Sequence, residues 1–263
     1  MNDVRESPHP PAQLTRAQRT AEKIKDMIVA AGMQPGDLLP SESELCETLN
    51  VSRTVLREAA KTLQAQDIVT MRQGRGTFVG YLSLDALVNQ VTFHALLRPH
   101  ETPKRLLDVL DVRQVLECGL LEDLIEKDLK PDAQQIEGIL DRMQVESEVG
   151  AVRASTDFLF HRALFRRLNN DIAAELLAAY WGIYETMWRL LPPVSEDLRH
   201  GAHVDTHRNI FLAVMDGDVV QSQALMRDHF LPLRSRLTSL PKGAQNQELV
   251  WSRSSPFSNA TEE

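Results

Sequence analysis

The chain has 263 residues, of which 43% are hydrophobic and 25% charged, and a formal net charge of −8; that length suits one large domain or two small ones. It holds no run of about eighteen apolar residues, which argues against a helical membrane span, and its opening MNDVRESPHPPAQ lacks the apolar centre of a secretory signal. Two cysteines, Cys46 and Cys118, stand far apart in no metal or redox spacing, so a disulfide scaffold is excluded and a reducing cytoplasm is expected.

Residues 1–13 are Pro-rich and read as a flexible start. A helical pattern then runs from about Leu14 to Ala31, with Ile24, Met27, Ile28 and Ala31 as its apolar stripe and Gly32 at its end. MQPGDLL reads as a turn around Pro35 and Gly36. In SESE, Ser41 can cap a second helix and Glu44 can close the capping box; this helix ends near Leu49-Asn50. Ser52 caps a third, SRTVLREAAKTLQAQ, with Val55, Leu56, Ala59, Ala60 and Leu63 inward. The period then changes: DIVTMR reads as a strand, RQGRG as a tight turn with two glycines, and TFVGY as the returning strand. Three helices followed by a two-stranded wing make a winged helix-turn-helix over 14–80.

From Leu84 onward only helical periods remain. Segments near 83–98, 103–128, 131–149, 154–169, 171–191, 196–217 and 218–238 are separated by Pro99, Pro103, Pro131, Pro192-Pro193 and the Asp216-Gly217-Asp218 turn. The expected fold is therefore mainly α, with an all-α bundle of about seven helices over 81–240. A polar tail, 241–263, reads as disordered despite Trp251.

Charge is distributed unevenly. Residues 1–80 carry ten Lys/Arg and ten Asp/Glu, so the whole net charge of −8 lies in the remaining 183 residues. Between residues 50 and 80, Arg53, Arg57, Lys61, Arg72 and Arg75 outnumber Glu58 and Asp67 by three. An acidic body with a locally basic segment is compatible with a DNA-reading head. A recognition helix places its N-terminal residues against base edges, here Ser52, Arg53, Thr54 and, one turn on, Arg57. Arginine suits the task because its planar fork bonds guanine O6 and N7 together. Arg72 and Arg75 sit on the wing, in reach of a phosphate or the minor groove. Taken alone, the same Ser-Arg start also reads as a solvated helix cap.

The combination LLPSESELCETLNVSRTVLREAAKTLQAQDIVTMRQGRGTFV resembles the head of the GntR family of bacterial transcription regulators. The matching features are LPS, which contains Ser41, then VSRTVLREA and GRGTFV. The resemblance implies that Arg53, Thr54 and Arg57 contact operator DNA, with Gly74 and Gly76 shaping the wing. One departure is Ser43, where the family commonly carries a DNA-touching arginine; this implies an altered operator or a weaker grip.

In STDFLFHRALFRRLNN, Asp157 and His161 are four apart and share a helix face. The pair reads either as a polar pair on an amphipathic helix or as half of a metal site. His207 and His229 lie equidistant from residue 218, the turn between the last two expected helices, so they oppose each other across that hairpin if both point inward. Asp157, His161, His207 and His229 together would suit a borderline divalent ion, Zn²⁺ first, and leave positions open for water or a ligand. HVDTH has the HxxxH spacing of a zincin, but Val204 stands where the catalytic Glu is needed. His94, His100 and His200 read as ordinary polar positions.

This second part resembles the FCD ligand-sensing domain of the FadR subfamily, through DFLFHRAL, the later Asn170, and then His207 and His229. The resemblance implies Asp157 and the three histidines as metal ligands, Asn170 beside the effector, and an effector-binding arginine in DVRQVLE, Arg113. A guanidinium near a metal clamps a carboxylate bidentately; the plainer alternative is a salt bridge from Arg113 to Glu117. The expected protein is a cytoplasmic homodimeric repressor that binds palindromic operator DNA and responds to a small organic or sugar acid. Zn²⁺ is the expected metal, with Ni²⁺ and Mn²⁺ also tolerated by this ligand set. A metal-dependent hydrolase and a metal-free structural sensor are the alternatives.

Overall fold

A computed structural model describes residues 14–150, 152–188 and 202–239, with the side chains of Pro99, Ala202 and His203 not described. The expectations of a flexible 1–13, a break at Pro192-Pro193, a helix start near 196, a polar role for His200 and a disordered 241–263 fall outside these residues. The chain divides into two compact units, Met1–Ser83 and Leu84–Glu263.

The first unit contains α1 (Arg16–Ala30), α2 (Glu42–Leu49), α3 (Arg53–Ala65), β1 (Val69–Arg72) and β2 (Gly76–Val79). Local chemistry sets the helix starts. Thr15 with Gln18 and Ser41 with Glu44 form reciprocal capping boxes, and the Ser52 hydroxyl accepts from the Val55 N–H. Asn50 ends α2 in the left-handed region, and Asp67, at φ 57°, turns the chain out of α3 towards β1. The core joins Ala21, Ile24 and Ile28 of α1 to Leu45, Leu56, Ala59 and Leu63, and to Val69 and Val79 of the wing. Ala31, expected in the α1 stripe, is exposed because it is already the C-cap; Ala21 takes its place in the core.

The wing is antiparallel, pairing Val69 with Val79 and Arg72 with Gly76. Its turn is closed by the Arg75 N–H on the Arg72 carbonyl, with Gly74 at φ 72° in the position where a type II turn needs positive φ. The segment expected only as a turn also contributes to the wing: Leu38 bridges Phe78, Leu39 N–H donates to Thr77 O, and Val79 N–H donates to Asp37 O. These bonds satisfy the outer edge of β2.

The second unit contains α4 (Asp85–Leu97), α5 (Thr102–Glu126), α6 (Ala133–Glu148), α7 (Ala154–Phe165), α8 (Asp171–Trp188), α9 (Ala202–Met215), α10 (Val219–His229) and α11 (Leu231–Ser239). The 25-residue α5 packs against α7, α8, α10 and α11. Its Leu110, Leu120, Leu121 and Leu124 enter one core with Ile136, Leu140 and Met143 of α6, Phe160 and Leu164 of α7, and Phe211, Met226 and Phe230 of the last helices. A smaller cluster joins Ala95, Leu106, Ile183, Met187 and Leu237.

The helix expected over 218–238 is two helices. Pro232 has no N–H to donate to the Asp228 carbonyl and its ring crowds that carbonyl, so the ladder breaks at Phe230, between α10 and α11. The turn before α10 is closed by Gly217, at φ 77°, and by Asp218, whose carboxylate accepts from the Gln221 N–H at 2.9 Å. Asp218→Ala should therefore lower stability by about 0.5–2 kcal/mol. Asp216→Ala, at an exposed position of the same turn, should stay within about 0.5 kcal/mol; urea denaturation of both variants checks this.

Candidate metal centre and nucleic-acid interface

In the first unit, the expected DNA-facing residues occupy the starts of α2 and α3 and the wing. Ser41 and Ser52 spend their hydroxyls on capping. Arg53, Thr54 and Arg57 are exposed, on the opposite side of α3 from buried Leu56, Ala59 and Leu63. The two arginines are not held alike. Arg53 Nη2 lies 3.5 Å from the Ser43 hydroxyl, whereas Arg57 donates through Nε and Nη2 to both Glu42 oxygens, at 2.5 and 3.1 Å. The Arg57 hydrogen bond and charge hold the Glu42 carboxyl below its usual value. Glu42 was not singled out from the sequence, although it neighbours Ser43 in the motif. Arg72 lies 5.0 Å over the Phe78 ring, and Arg75 stands at the wing tip. A groove of about 1110 Å³ is lined mainly by apolar side chains of the head, among them Ile24, Leu38, Leu45 and Leu56, and also by Arg57, Lys61, Arg72 and Arg75.

In the second unit, Asp157, His161, His207 and His229 each offer a ligand atom within 4.8 Å of the others. Asp157 and His161 are one turn apart on α7. His207 on α9 and His229 at the end of α10 face each other across the packed hairpin, with ring centroids 4.5 Å apart. His207 Nε2 lies 2.7 Å from Asp157 Oδ1, and His161 Nε2 lies 3.8 Å from the same oxygen. His161 and His207 are fully buried and His229 nearly so.

Burial would raise the Asp157 carboxyl, but the His207 hydrogen bond and the surrounding imidazoles hold it well below the usual range. Burial holds His161 below its ordinary value, with Glu117 acting in the opposite sense. Burial and then the neighbouring His207 push His229 well below its ordinary value. Binding a divalent cation requires an ionised carboxylate and deprotonated imidazoles, and the lowered Asp157, His161 and His229 all shift in that direction. His161 Nε2 is moreover buried with no hydrogen-bond partner. The donor set therefore fits a divalent ion of borderline softness.

Arg113 and Glu117, one turn apart on α5, lie beside this cluster. Glu117 is 0% exposed; its Oε1 accepts from Arg113 Nε at 2.5 Å, and its Oε2 lies 2.5 Å from His161 Nδ1. Burial works against the charged form of Glu117, but Arg113 and then His161 outweigh it and lower its pKa. The Arg113 guanidinium lies 3.7 Å over the Trp181 ring and 4.9 Å over Phe230, and its Nη2 is buried with no hydrogen-bond partner. The salt bridge weighed from the sequence is thus present, yet it uses only the Nε N–H of the guanidinium. Trp181, missed in the sequence, is fixed by its indole N–H on Ala154 O at 2.8 Å; a tryptophan on an apolar helix carried no separate signal. Asn170 is exposed, and its Oδ1 caps α8 through the Ala173 N–H. Among the described residues no hydrogen bond joins it to the cluster. His94 and His100 are exposed.

Arg113→Met would strand the buried Glu117 carboxylate, and it should cost about 3–5 kcal/mol of stability. Adding Glu117→Gln should recover part of the loss, which chemical denaturation of the single and double variants measures.

Residues 16–79 match the family described as "Bacterial regulatory proteins, gntR family", and residues 108–231 match the FCD domain. The chain is 32% identical over 206 residues to the HTH-type transcriptional regulator LutR of Bacillus subtilis, covering 77% of this chain and 92% of that one. It is 25% identical over 224 residues to the galactonate operon transcriptional repressor of Escherichia coli, covering 81% and 93%. Among solved structures, Streptococcus agalactiae GntR shares the fold with a TM-score of 0.60 at 21% identity, over 84% of this chain and 99% of that one. These relatives are transcriptional regulators, not enzymes, so the hydrolase alternative falls. The chain belongs to the GntR family of transcriptional regulators, with a winged helix-turn-helix head followed by an FCD domain.

Proposed function

We propose that this regulator is a cytoplasmic, metabolite-responsive repressor whose FCD domain holds a divalent metal and receives a small organic or sugar acid. The observation that carries the reading is the juxtaposition of an Asp–His₃ cluster with a buried guanidinium that still has an unbonded Nη2. Asp157, His161, His207 and His229 would hold the ion, Zn²⁺ first, and a bound ion supplies a Lewis-acid contact for one carboxylate oxygen. Arg113 Nη2 takes the other oxygen, while Trp181 and Phe230 keep the guanidinium in place and water away from it. The E. coli relative that represses a galactonate operon supports the sugar-acid class, since galactonate carries a carboxylate.

In the head, Arg53, Thr54 and Arg57 read base edges and Arg72 and Arg75 of the wing take the backbone. Ser41, Ser52 and Gly76 position these elements. Two heads of a homodimer meet the half-sites of a palindromic operator. An effector that favours head arrangements mismatched to the operator needs a coupling of roughly 1–3 kcal/mol to give about 5–150-fold induction.

One observation favours the metal-free alternative: the direct 2.7 Å contact between His207 and Asp157 would hold the cluster without an ion. Thermal melts separate the two. Zn²⁺ and then a hit from a panel of small organic and sugar acids should each raise the melting temperature. An acid at about a hundred times its dissociation constant adds roughly 2.7 kcal/mol. The acid response should vanish in Arg113→Lys, which keeps the charge and loses the fork. A flat panel together with melting indifferent to chelator would make the cluster structural. For the head, Arg53→Ala should weaken operator binding by about 1–3 kcal/mol and Ser43→Ala far less; equal losses in a fluorescence titration would refute the assignment.

A further inference from the structure

Glu117 touches neither a cation nor a carboxylate ligand in the reading above, yet both binding atoms depend on it. Its two oxygens are divided between Arg113 Nε and His161 Nδ1, each at 2.5 Å. An ionised carboxylate only accepts hydrogen bonds, so Nδ1 of His161 must carry the proton. The lone pair is therefore on Nε2, the buried atom that has no hydrogen-bond partner and lies on the Asp157 side of the ring. On its other side, Glu117 engages Arg113 through the Nε N–H alone. The Nη2 that remains buried and unbonded is then the group left for an anion. Trp181 closes the arrangement, 3.7 Å beneath the guanidinium and 5.4 Å from the His161 ring.

We infer that Glu117 is a positioning residue shared by the two sites: it selects the His161 tautomer that can take a cation and orients Arg113 to take an anion. The inference rests on the metal-and-acid reading for its purpose, but its geometry stands apart from it. A cation on His161 Nε2 makes Nδ1–H a stronger donor to Glu117, and that carboxylate also holds Arg113. Cation and anion binding are thereby linked, and linkage of this kind is reciprocal.

The substitution Glu117→Gln tests this with a change of one atom. Arginine only donates, so the Gln oxygen must turn to Arg113 and the Gln NH₂ to His161. Nδ1 must then accept, Nε2 carries the proton, and the cluster loses a donor atom. Zn²⁺ alone, titrated against a competing chelator, should bind about 10–100-fold more weakly to this variant than to the wild-type chain. Glu146→Gln, which alters another largely buried carboxylate held by Arg142, Arg153 and Thr156, should leave Zn²⁺ affinity unchanged.

Nitrogen-15 NMR of the metal-free chain reads the tautomer directly. The expected result is Nδ1–H on His161 in the wild type and Nε2–H in Glu117→Gln. A wild-type Nε2–H tautomer overturns the inference even if the variant does not fold. Equal Zn²⁺ affinity with an unchanged tautomer also overturns it, and leaves the metal reading intact. A wild-type chain that binds no Zn²⁺ defeats the metal reading instead, and the NMR result still decides the role of Glu117.

Discussion

A carboxylate with no exposure to water, in the middle of an apolar helical bundle, is the constraint around which the second unit is organised. Glu117 sits on α5, the helix against which α7, α8, α10 and α11 pack. Removing a charge from water to such a place costs several kcal/mol unless geometry and hydrogen bonds compensate. Compensation comes from three helices: Arg113 on α5 itself, His161 on α7, and Trp181 of α8 stacked under the guanidinium. The polar centre therefore does not merely occupy the core; it dictates which faces of those helices turn inward.

The two units use the same kind of ion pair to opposite ends. Arg57 and Glu42 in the head form a two-bonded pair in solvent, where screening leaves little net stabilisation. Such a pair can open at small cost, as the base-edge role proposed for Arg57 requires. Arg113 and Glu117 are sealed, so opening them is expensive, as the clamp proposed for Arg113 requires. Burial, more than chemistry, separates a group that exchanges partners from one that waits in place.

Much of the architecture was legible because short-range rules carry it. The Ser41–Glu44 capping box, the Ser52 cap, the two-glycine wing turn and the Asp218 cap each involve residues within about one turn of each other. The opposition of His207 and His229 followed from equal distances to a tight turn, which an antiparallel hairpin preserves. Pro232 was visible too, and its lack of an N–H divides a segment that apolar periodicity had joined. The Leu38–Phe78 bridge was not legible, since a lone bridge formed across forty residues leaves no periodic trace.

From the sequence alone come the winged head, the all-helical second part, and the four residues Asp157, His161, His207 and His229 that the structure brings within 4.8 Å. Local hydrogen bonding, apolar period and turn symmetry account for the elements, the i, i+4 pair and the opposed histidines; that the pair and the hairpin histidines form one set was implied by the FCD resemblance, because no local rule joins α7 to α9 and α10. What only the tertiary structure decided is which buried atoms of Arg113 and His161 are left without a hydrogen bond. Whether Arg113 is consumed by Glu117 or merely oriented by it depends on a carboxylate having two oxygens and on His161, forty-four residues away, claiming the second. The capping of α8 by Asn170 and the stacking of Trp181 under Arg113 are likewise set by how separate helices pack. Packing distributes a limited number of donors and acceptors among competing partners, and no single stretch of sequence contains that competition.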